Sequence, residues 1–348
     1  MIREISVAEA LDLPGAVIID VRSEGEFQED TIPGAVNIPL LDNTGRALVG
    51  TAYKEKGPLE ARRLGLEIVS PRLPRWVQAV EKAAPGRRVV LFCWRGGLRS
   101  LFAAYLLDVM GFAVYRLAGG YKAYRRYVIQ YLERDLPMKA VVVHGLTGVG
   151  KTRLLQRLAE MGLPVLDLEG LARHRGSVFG KIGLPPSPRQ KMFESLIVRD
   201  LRAAEKRGLF FVECESRRLG NLLVPRSVLA SMEKGYRVLL YDSLENRVRR
   251  LVEEYTCGPG QNIPALQEAT SALARYLGAQ QVKELVERLA RGEFAEVFAY
   301  LLVKHYDPLY RYPDAPSEGY DLCVSTADFE EAVRRVSEWV ISLPEYVR

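Results

Sequence analysis

Residues 139–152, Lys139-Ala-Val-Val-Val-His-Gly-Leu-Thr-Gly-Val-Gly-Lys-Thr152, join a short apolar strand pattern to a glycine-rich loop. A helix-like pattern over residues 153–161 follows at once. The spacing Gly-x4-Gly-Lys-Thr between a strand and a helix is typical of a loop whose backbone N–H groups surround phosphates. The stretch therefore predicts a parallel α/β domain of the P-loop type.

Each polar group in this loop has an expected part. The loop glycines let the backbone approach the ligand, the lysine pairs with phosphate charge, and the hydroxyl can bind Mg²⁺. We found no motif that selects a nucleoside, so the pattern predicts a polyphosphate ligand and leaves open whether ATP or GTP binds. The predicted phosphate-binding residues are Gly145, Gly148, Gly150, Lys151 and Thr152, with a possible Mg²⁺ at Thr152.

Two further strand patterns belong to the same domain, residues 209–213 and 236–241. The first ends in acids at a position like that of a Walker B carboxylate. Glu215 is the preferred candidate for orienting Mg²⁺ or water, and Glu213 is the alternative. The region 245–348 is predicted to be mainly helical, with an interruption at Cys257-Gly-Pro-Gly260.

The residues before this domain alternate strand and helix patterns, which also indicates a parallel α/β sheet. The strands are predicted over residues 16–20, 88–92 and 113–117, and a helix over 98–110. Residues 133–138 are polar and contain Pro137. We therefore predict two domains, 1–137 and 138–348, which suits a chain of 348 residues.

The second chemical signal is Cys93, which ends a strand in the run Cys93-Trp-Arg-Gly-Gly-Leu-Arg-Ser100. A Gly-rich turn that opens a helix can bind anions through its N–H groups, and nearby arginines add positive charge. These features favour a thiolate nucleophile at Cys93. Cys214 and Cys323 lie in apolar, strand-like runs and suit a packing role. The predicted anion cradle comprises Arg95, Gly96, Gly97, Arg99 and Ser100.

Two chemistries fit a cysteine that five residues separate from an arginine. One is sulfur or selenium transfer through a persulfide-like intermediate, and the other is phosphate-ester hydrolysis through phosphocysteine. Both need an anion cradle around a thiolate, so the loop alone does not choose between them.

Composition sets the cellular context and the class of partner. The four cysteines form no CxxC pair, no leader-like apolar segment opens the chain, and no run is long enough to span a membrane, so we expect a cytoplasmic protein. A net charge of +6 permits binding of a polyanion. The candidate contacts to a nucleic acid are Lys122, Arg125, Arg126, Arg173, His174 and Arg175. The tyrosines at helical spacing between Tyr121 and Tyr131 are interpreted as packing residues.

Several motifs of the first domain occur in the order found in the rhodanese family, which they resemble. They are Ile19-Asp-Val-Arg22, Glu26-Phe27, Ile32-Pro-Gly-Ala-Val-Asn-Ile-Pro39, the Cys93 loop and Gly119-Gly-Tyr-Lys122. One position departs from the family: Thr31 stands where rhodaneses often have histidine. This resemblance favours sulfur or selenium transfer.

Across both domains the chain resembles the bacterial tRNA 2-selenouridine synthases. Further matching motifs are Val49-Gly-Thr-Ala-Tyr-Lys54, the segment 168–180, Glu215-Ser-Arg-Arg-Leu-Gly220 and His305-Tyr-Asp-Pro-Leu-Tyr310. The resemblance implies an enzyme that replaces the sulfur of 2-thiouridine at the tRNA wobble position with selenium, by way of S-geranyl-2-thiouridine. It implies geranyl diphosphate and selenophosphate as co-substrates, no tightly bound cofactor, and Cys93 as a selenium carrier.

Two alternatives stay open at the level of sequence. The first is a cysteine-dependent phosphatase fused to a nucleotide-binding domain. The second is a tRNA-binding adaptor that only relays sulfur to a partner.

Overall fold

The computed structural model describes residues 2–176, 179–256 and 263–347. The predicted interruption at Cys257–Gly260 lies outside these residues. The chain divides into two compact units, Met1–Tyr131 and Leu132–Arg348. The two units are described separately below.

The first unit is a five-stranded parallel sheet with helices between its strands. The strands follow the spatial order β1-β5-β4-β2-β3. They are β1 Arg3–Ile5, β2 Val17–Asp20, β3 Val36–Asn37, β4 Arg88–Phe92 and β5 Ala113–Leu117. The helices are α1 Val7–Asp12, α2 Glu24–Glu29, α3 Asn43–Glu55, α4 Pro58–Val69, α5 Leu73–Ala83, α6 Leu98–Val109 and α7 Gly120–Glu133, with a 3₁₀ turn at Ser70–Arg72.

The centre of this sheet is apolar on both faces. In β4, residues 89–92 are completely buried, as expected for an inner parallel strand covered by helices on both sides. The adjacent inner strands β2 and β4 pair through Val17↔Val89 to Asp20↔Phe92. Their carboxyl ends therefore lie side by side, which brings Cys93 next to the segment that follows Asp20.

The second unit holds another five-stranded parallel sheet, in the order β12-β11-β6-β8-β7, and a short antiparallel hairpin. The sheet strands are β6 Lys139–His144, β7 Val165–Leu166, β8 Leu209–Glu213, β11 Tyr236–Tyr241 and β12 Leu322–Ser325, and the hairpin strands are β9 Arg218–Leu219 and β10 Leu222–Leu223. The helices that follow these strands are α8 Lys151–Glu160, α9 Leu168–Ala172, α10 Gln190–Glu205, α11 Arg226–Glu233 and α12 Leu244–Thr256.

A helical region completes this unit. It comprises α13 Ile263–Ser271, α14 Ala274–Leu277, α15 Ala279–Ala290, α16 Phe294–Leu301, a π-helical turn Leu302–Tyr306, α17 Asp307–Tyr310 and α18 Phe329–Ile341. Much of it packs around its own apolar cluster, which includes Leu266, Leu285 and Phe298.

The structure confirms the predicted fold class, two parallel α/β sheets with a largely helical C-terminal region. One detail needs correction, because the region 245–348 also contains a strand. Residues 322–325 pair with β11 from Val238↔Leu322 to Tyr241↔Ser325 and form the edge of the second sheet. Four residues are too few for periodicity to separate strand from helix, so partner pairing decides their conformation. Among the described residues, no helix is both long and apolar enough to cross a membrane.

Candidate active sites

The first candidate site is the loop after β4. Cys93 is 3% exposed, and its Sγ lies 3.2 Å from Ser100 Oγ and 3.8 Å from the carbonyl oxygen of Gly97. Gly96 adopts φ +66°, so the chain turns sharply before α6 begins at Leu98. The predicted residues Cys93, Gly97 and Ser100 are thus brought together at the amino end of a helix, where a partial positive charge favours an anion.

A second segment, around Gly119 and Gly120, packs against the backbone of the Cys93 loop. The backbone N–H groups of Tyr121 and Lys122 donate to the carbonyls of Cys93 (2.8 Å) and Trp94 (3.0 Å). A Cβ at Gly120 would lie 2.2 Å from the Cys93 carbonyl oxygen, so this approach requires glycine. The motif that the sequence placed at the end of the rhodanese resemblance therefore holds the cysteine loop in place.

The two arginines of the predicted cradle have different surroundings. Arg99 donates to both carboxylate oxygens of Glu26, at 2.7 and 3.3 Å, whereas Arg95 is exposed. Burial alone would raise the pKa of Glu26, but the hydrogen bond and charge of Arg99 hold that pKa below its ordinary value. Part of the positive charge expected beside Cys93 is consequently balanced by Glu26.

Sequence reasoning missed a buried polar network beside this loop. Arg22 is 1% exposed, bonds Asp20 at 2.6 Å and lies 4.1 Å from the centre of the Tyr121 ring. The Tyr121 hydroxyl bonds Asp30, whose pKa is raised by burial. Thr31, the departure from the rhodanese pattern, donates to Asp20 at 2.9 Å. The signal was present in the Ile19–Arg22 motif, but only the tertiary contacts show its partners.

The second candidate site is the P-loop between β6 and α8. Gly145, Gly148 and Gly150 adopt φ values of +143°, +83° and +91°. A Cβ at Gly145 would lie 2.4 Å from the Leu240 carbonyl oxygen of the adjacent strand. The Lys151 amine donates to the Gly145 carbonyl at 3.0 Å. The predicted glycines and lysine therefore form one compact loop at the amino end of a helix.

The P-loop is also braced by α12. Arg247 donates from Nε to the Thr147 carbonyl at 2.8 Å, and its guanidinium pairs with Asp307 at 2.5 Å. Arg250 donates to the Gly148 carbonyl at 3.2 Å. Asp307 belongs to the His305–Tyr310 motif, so that motif stabilises the loop through Arg247.

Three carboxylates meet beside the P-loop threonine. Ligand oxygens of Glu169, Glu213 and Glu215 all lie within 4.8 Å of one another, and Thr152 Oγ1 is 3.5 Å from Glu169 Oε2. The pKa of each of these glutamates is raised above its ordinary value, mainly by burial. The charge of Lys151 offsets only part of that rise. Glu213 is 2% exposed, and its Oε1 is buried without a hydrogen-bond partner.

This donor set fits a divalent cation, since Mg²⁺ takes hard oxygen ligands from carboxylates and from a P-loop hydroxyl. The structure brings both Walker B candidates, Glu213 and Glu215, into the same cluster, so both carboxylates could bind one cation. It also adds Glu169, which sequence reasoning did not single out. The signal that could have found Glu169 is its position just after β7, the edge strand that pairs with β8.

The P-loop and the acids line a cavity of about 840 Å³. Its wall also includes Arg175, Arg250 and Tyr255. A cavity of this size, lined by both cations and carboxylates, can hold a polyphosphate and a covalently attached group.

The predicted tRNA contacts fall into three classes. Lys122, Arg126 and Arg173 are exposed, although Arg173 Nη1 also donates to the Pro186 carbonyl at 3.1 Å. Arg125 is half-buried in α7. Arg175 is half-buried and pairs with Glu254 at 2.7 Å. It also forms part of the wall of the phosphate cavity.

His174 needs a correction. It is 7% exposed, its Nδ1 accepts from the Gly176 N–H at 3.1 Å, and its ring packs against Gly220. Burial lowers its pKa, which favours the neutral form. These contacts argue against a direct tRNA contact and give His174 a role inside its own loop.

The remaining predictions concern packing. Tyr121, Tyr124 and Tyr131 are 2–3% exposed, which confirms their interpretation as packing residues. Cys214 and Cys323 are free thiols in or next to strands. Cys257 lies outside the described residues.

Comparison with known proteins covers both units. Residues 138–340 match the family described as the tRNA 2-selenouridine synthase AAA domain, and residues 6–127 match the rhodanese-like domain. The tRNA 2-selenouridine synthase of Nitrosomonas europaea is 36% identical over 81% of this chain and 76% of its own length. That of Psychromonas ingrahamii is 31% identical over 97% of both chains, and that of Pseudomonas putida is 33% identical over 93% of this chain and 96% of its own.

Proposed function

Because the chain belongs to the tRNA 2-selenouridine synthase family, we propose that it converts 2-thiouridine at the tRNA wobble position to 2-selenouridine by way of S-geranyl-2-thiouridine. Geranyl diphosphate and selenophosphate are the proposed co-substrates. The observation that carries this proposal is the presence of two anion-binding loops in one chain, one of them holding Cys93 and the other joined to a carboxylate cluster.

The first proposed step is alkylation of the thiocarbonyl sulfur. The sulfur attacks C1 of the geranyl chain, a C–S bond forms, and the C–O bond breaks with its electron pair leaving on diphosphate. The N3–H proton of the base passes to water. The P-loop N–H groups and Lys151 stabilise that developing charge. Glu169, Glu213, Glu215 and Thr152 would hold a divalent cation, which supplies further charge neutralisation when bound.

The second proposed step is exchange of sulfur for selenium at C2 of the base. Selenium of selenophosphate forms a C–Se bond at C2, the C–S bond breaks, and the sulfur leaves as geranyl thiolate. Water then cleaves the P–Se bond, which releases phosphate, and the base regains a proton at N3 to give 2-selenouridine. Alkylation makes this exchange feasible because a thiolate is a much better leaving group than a thiocarbonyl sulfur. The loop of Cys93 is the proposed site for selenophosphate, whose charge suits N–H groups at a helix amino terminus. Cys93 is the proposed catalytic thiol of this step.

The substrate geometry agrees with this scheme. The wobble base belongs to a single-stranded anticodon loop and can be turned outward without opening a helix. Exposed Lys122 and Arg126 carry charge suited to tRNA phosphates.

The test uses the full chain and mass spectrometry of nucleosides from treated tRNA. With all co-substrates, we expect 2-selenouridine from the unaltered protein. Cys93→Ala should accumulate S-geranyl-2-thiouridine. Lys151→Ala should slow geranylation by roughly 10² to 10³ but still convert tRNA that is already geranylated. If both variants stay folded and fail equally on both substrates, the assignment of one reaction to each loop is wrong.

A further inference from the structure

A small apolar cavity adjoins the phosphate cavity of the second unit. It has a volume of about 30 Å³. Its walls are mainly carbon, from Phe179, Leu251, Tyr255, Phe298, Leu301 and Leu302, and Thr147 and Tyr306 complete the lining. We name the first six of these residues the tail slot. Leu251, Tyr255 and the P-loop residue Thr147 line both cavities, so the slot begins where the phosphate cradle ends.

The side chains around the slot are buried and packed against one another. Phe298, Leu301 and Leu302 are 1–4% exposed, and the Tyr255 ring contacts the Phe179 and Phe298 rings at centroid distances of 6.1 and 5.7 Å. At Leu302 helix α16 passes into the π-helical turn, an irregularity that is frequent at functional sites. The turn changes the helical register at the wall of the slot.

The chemistry of the walls selects a class of ligand. The base of a nucleotide carries polar edges, and burying them against carbon without partners costs free energy. A ligand with an anionic head and an apolar tail satisfies both cavities at once. Resting on the proposed function, we propose that the tail slot takes the branched distal end of the prenyl chain of a prenyl diphosphate whose head is bound by the P-loop.

The volume of the slot limits how much of the prenyl chain can enter it. A buried water needs about 10–15 Å³ of comparable space, so the slot suits only the terminal methyl-bearing carbons. The rest of the chain lies against Leu251 and Tyr255 in the larger cavity. The slot therefore acts as a gauge of chain length. Burial of the chain end should strengthen binding by roughly fourfold per methylene, or about 10- to 100-fold for the branched end.

The experiment measures binding by titration calorimetry on the full chain, with inorganic diphosphate, dimethylallyl diphosphate, geranyl diphosphate, farnesyl diphosphate and ATP. For the unaltered protein we expect geranyl diphosphate to bind about 10- to 100-fold more tightly than inorganic diphosphate. Leu251→Phe enlarges a side chain at the mouth of the slot. It should remove most of that difference. Because Leu251 also lines the phosphate cavity, the affinity of the same variant for inorganic diphosphate is measured in parallel, and the loss of affinity for geranyl diphosphate should be the larger of the two. Leu251→Met keeps the volume and is the matched control.

A reciprocal variant guards against a folding defect in the first. Phe298→Leu enlarges the slot and should move the preference from geranyl toward farnesyl diphosphate. The proposal is overturned if the unaltered protein binds geranyl diphosphate no more tightly than inorganic diphosphate or ATP. It is also overturned if neither Leu251→Phe nor Phe298→Leu changes the preference for chain length. Tail-dependent binding without transfer of the chain to tRNA would support the slot and refute the proposed reaction.

Discussion

Replacement of Gly120 by alanine should disable the Cys93 loop without touching the cysteine. Gly120 has φ +59°, and a Cβ there would lie 2.2 Å from the Cys93 carbonyl oxygen and 2.5 Å from the Gly96 nitrogen. Both neighbours are backbone atoms, so no side chain can move aside to relieve the contact. The two loops must separate by about 1 Å to restore ordinary van der Waals distances.

The loss of stability in Gly120→Ala can be estimated from the backbone strain and from the hydrogen bonds that break when the two loops separate. A left-handed conformation costs an alanine about 1–2 kcal/mol. The two hydrogen bonds between the loops, from Tyr121 and Lys122, contribute about 1 kcal/mol each. Gly120→Ala should therefore lower the free energy of unfolding by about 3–4 kcal/mol. Gly15→Ala is the matched control, since Gly15 has φ +67° and no atom within 4 Å of its Cβ position. Gly15→Ala should lower the free energy of unfolding only by the cost of the left-handed conformation, about 1–2 kcal/mol.

The assay combines urea unfolding, followed by tryptophan fluorescence, with selenation of tRNA that is already geranylated. Gly15→Ala should keep its selenation activity, whereas Gly120→Ala should lose nearly all of it, because Cys93 no longer lies against Ser100 and the helix amino end. Equal stability and equal selenation in the two variants would refute the idea that the Gly119–Gly120 loop shapes the cysteine site.

Three further predictions concern other sites. Burial, aided by repulsion from Arg237 and Lys151, lowers the pKa of His144 to about 4. An unfolded histidine therefore binds a proton before the folded one as the pH falls below about 6.5. The stability from neutral His144 is present above that pH, and about 2 kcal/mol of it should be lost by pH 5. His144→Phe should flatten this acid branch of a stability–pH curve, and an unchanged branch would contradict the argument. Lys122→Ala with Arg126→Ala should weaken tRNA binding and reduce the slope of log affinity against log salt by about 2, measured by filter binding. An unaltered slope would exclude these side chains as phosphate contacts. Trp94 is 38% exposed beside Cys93 and stacks on Tyr121 at 5.2 Å. If a splayed base stacks on it, Trp94→Ala should weaken binding of an anticodon stem–loop by roughly 10-fold and Trp94→Phe should restore most of it, whereas equal affinity of both variants would remove Trp94 from the site.

The sequence alone predicts the features that depend on local order along the chain. The bounds of β4, β5, β6, β8 and β11 agree with the predicted strands, because continuous apolar runs between turn residues indicate inner parallel strands. The Gly145–Thr152 loop and the Cys93 loop could be found for the same reason. Each is a contiguous stretch in which a strand, a glycine-rich turn and a helix follow one another.

Partners that are distant in the sequence could be found only in the tertiary structure. Glu169, Glu213 and Glu215 form one cluster because β7 and β8 are neighbours in the sheet, and no spacing along the chain encodes that adjacency. The pairing of Arg99 with Glu26 likewise depends on two segments that meet at the ends of β2 and β4. Pairing with β11 made a strand of residues 322–325, and burial gave His174 a structural role. Local pattern thus determined where the anion-binding loops lie, while three-dimensional packing decided their charge balance, because electrostatic interactions depend on distance in space and on burial.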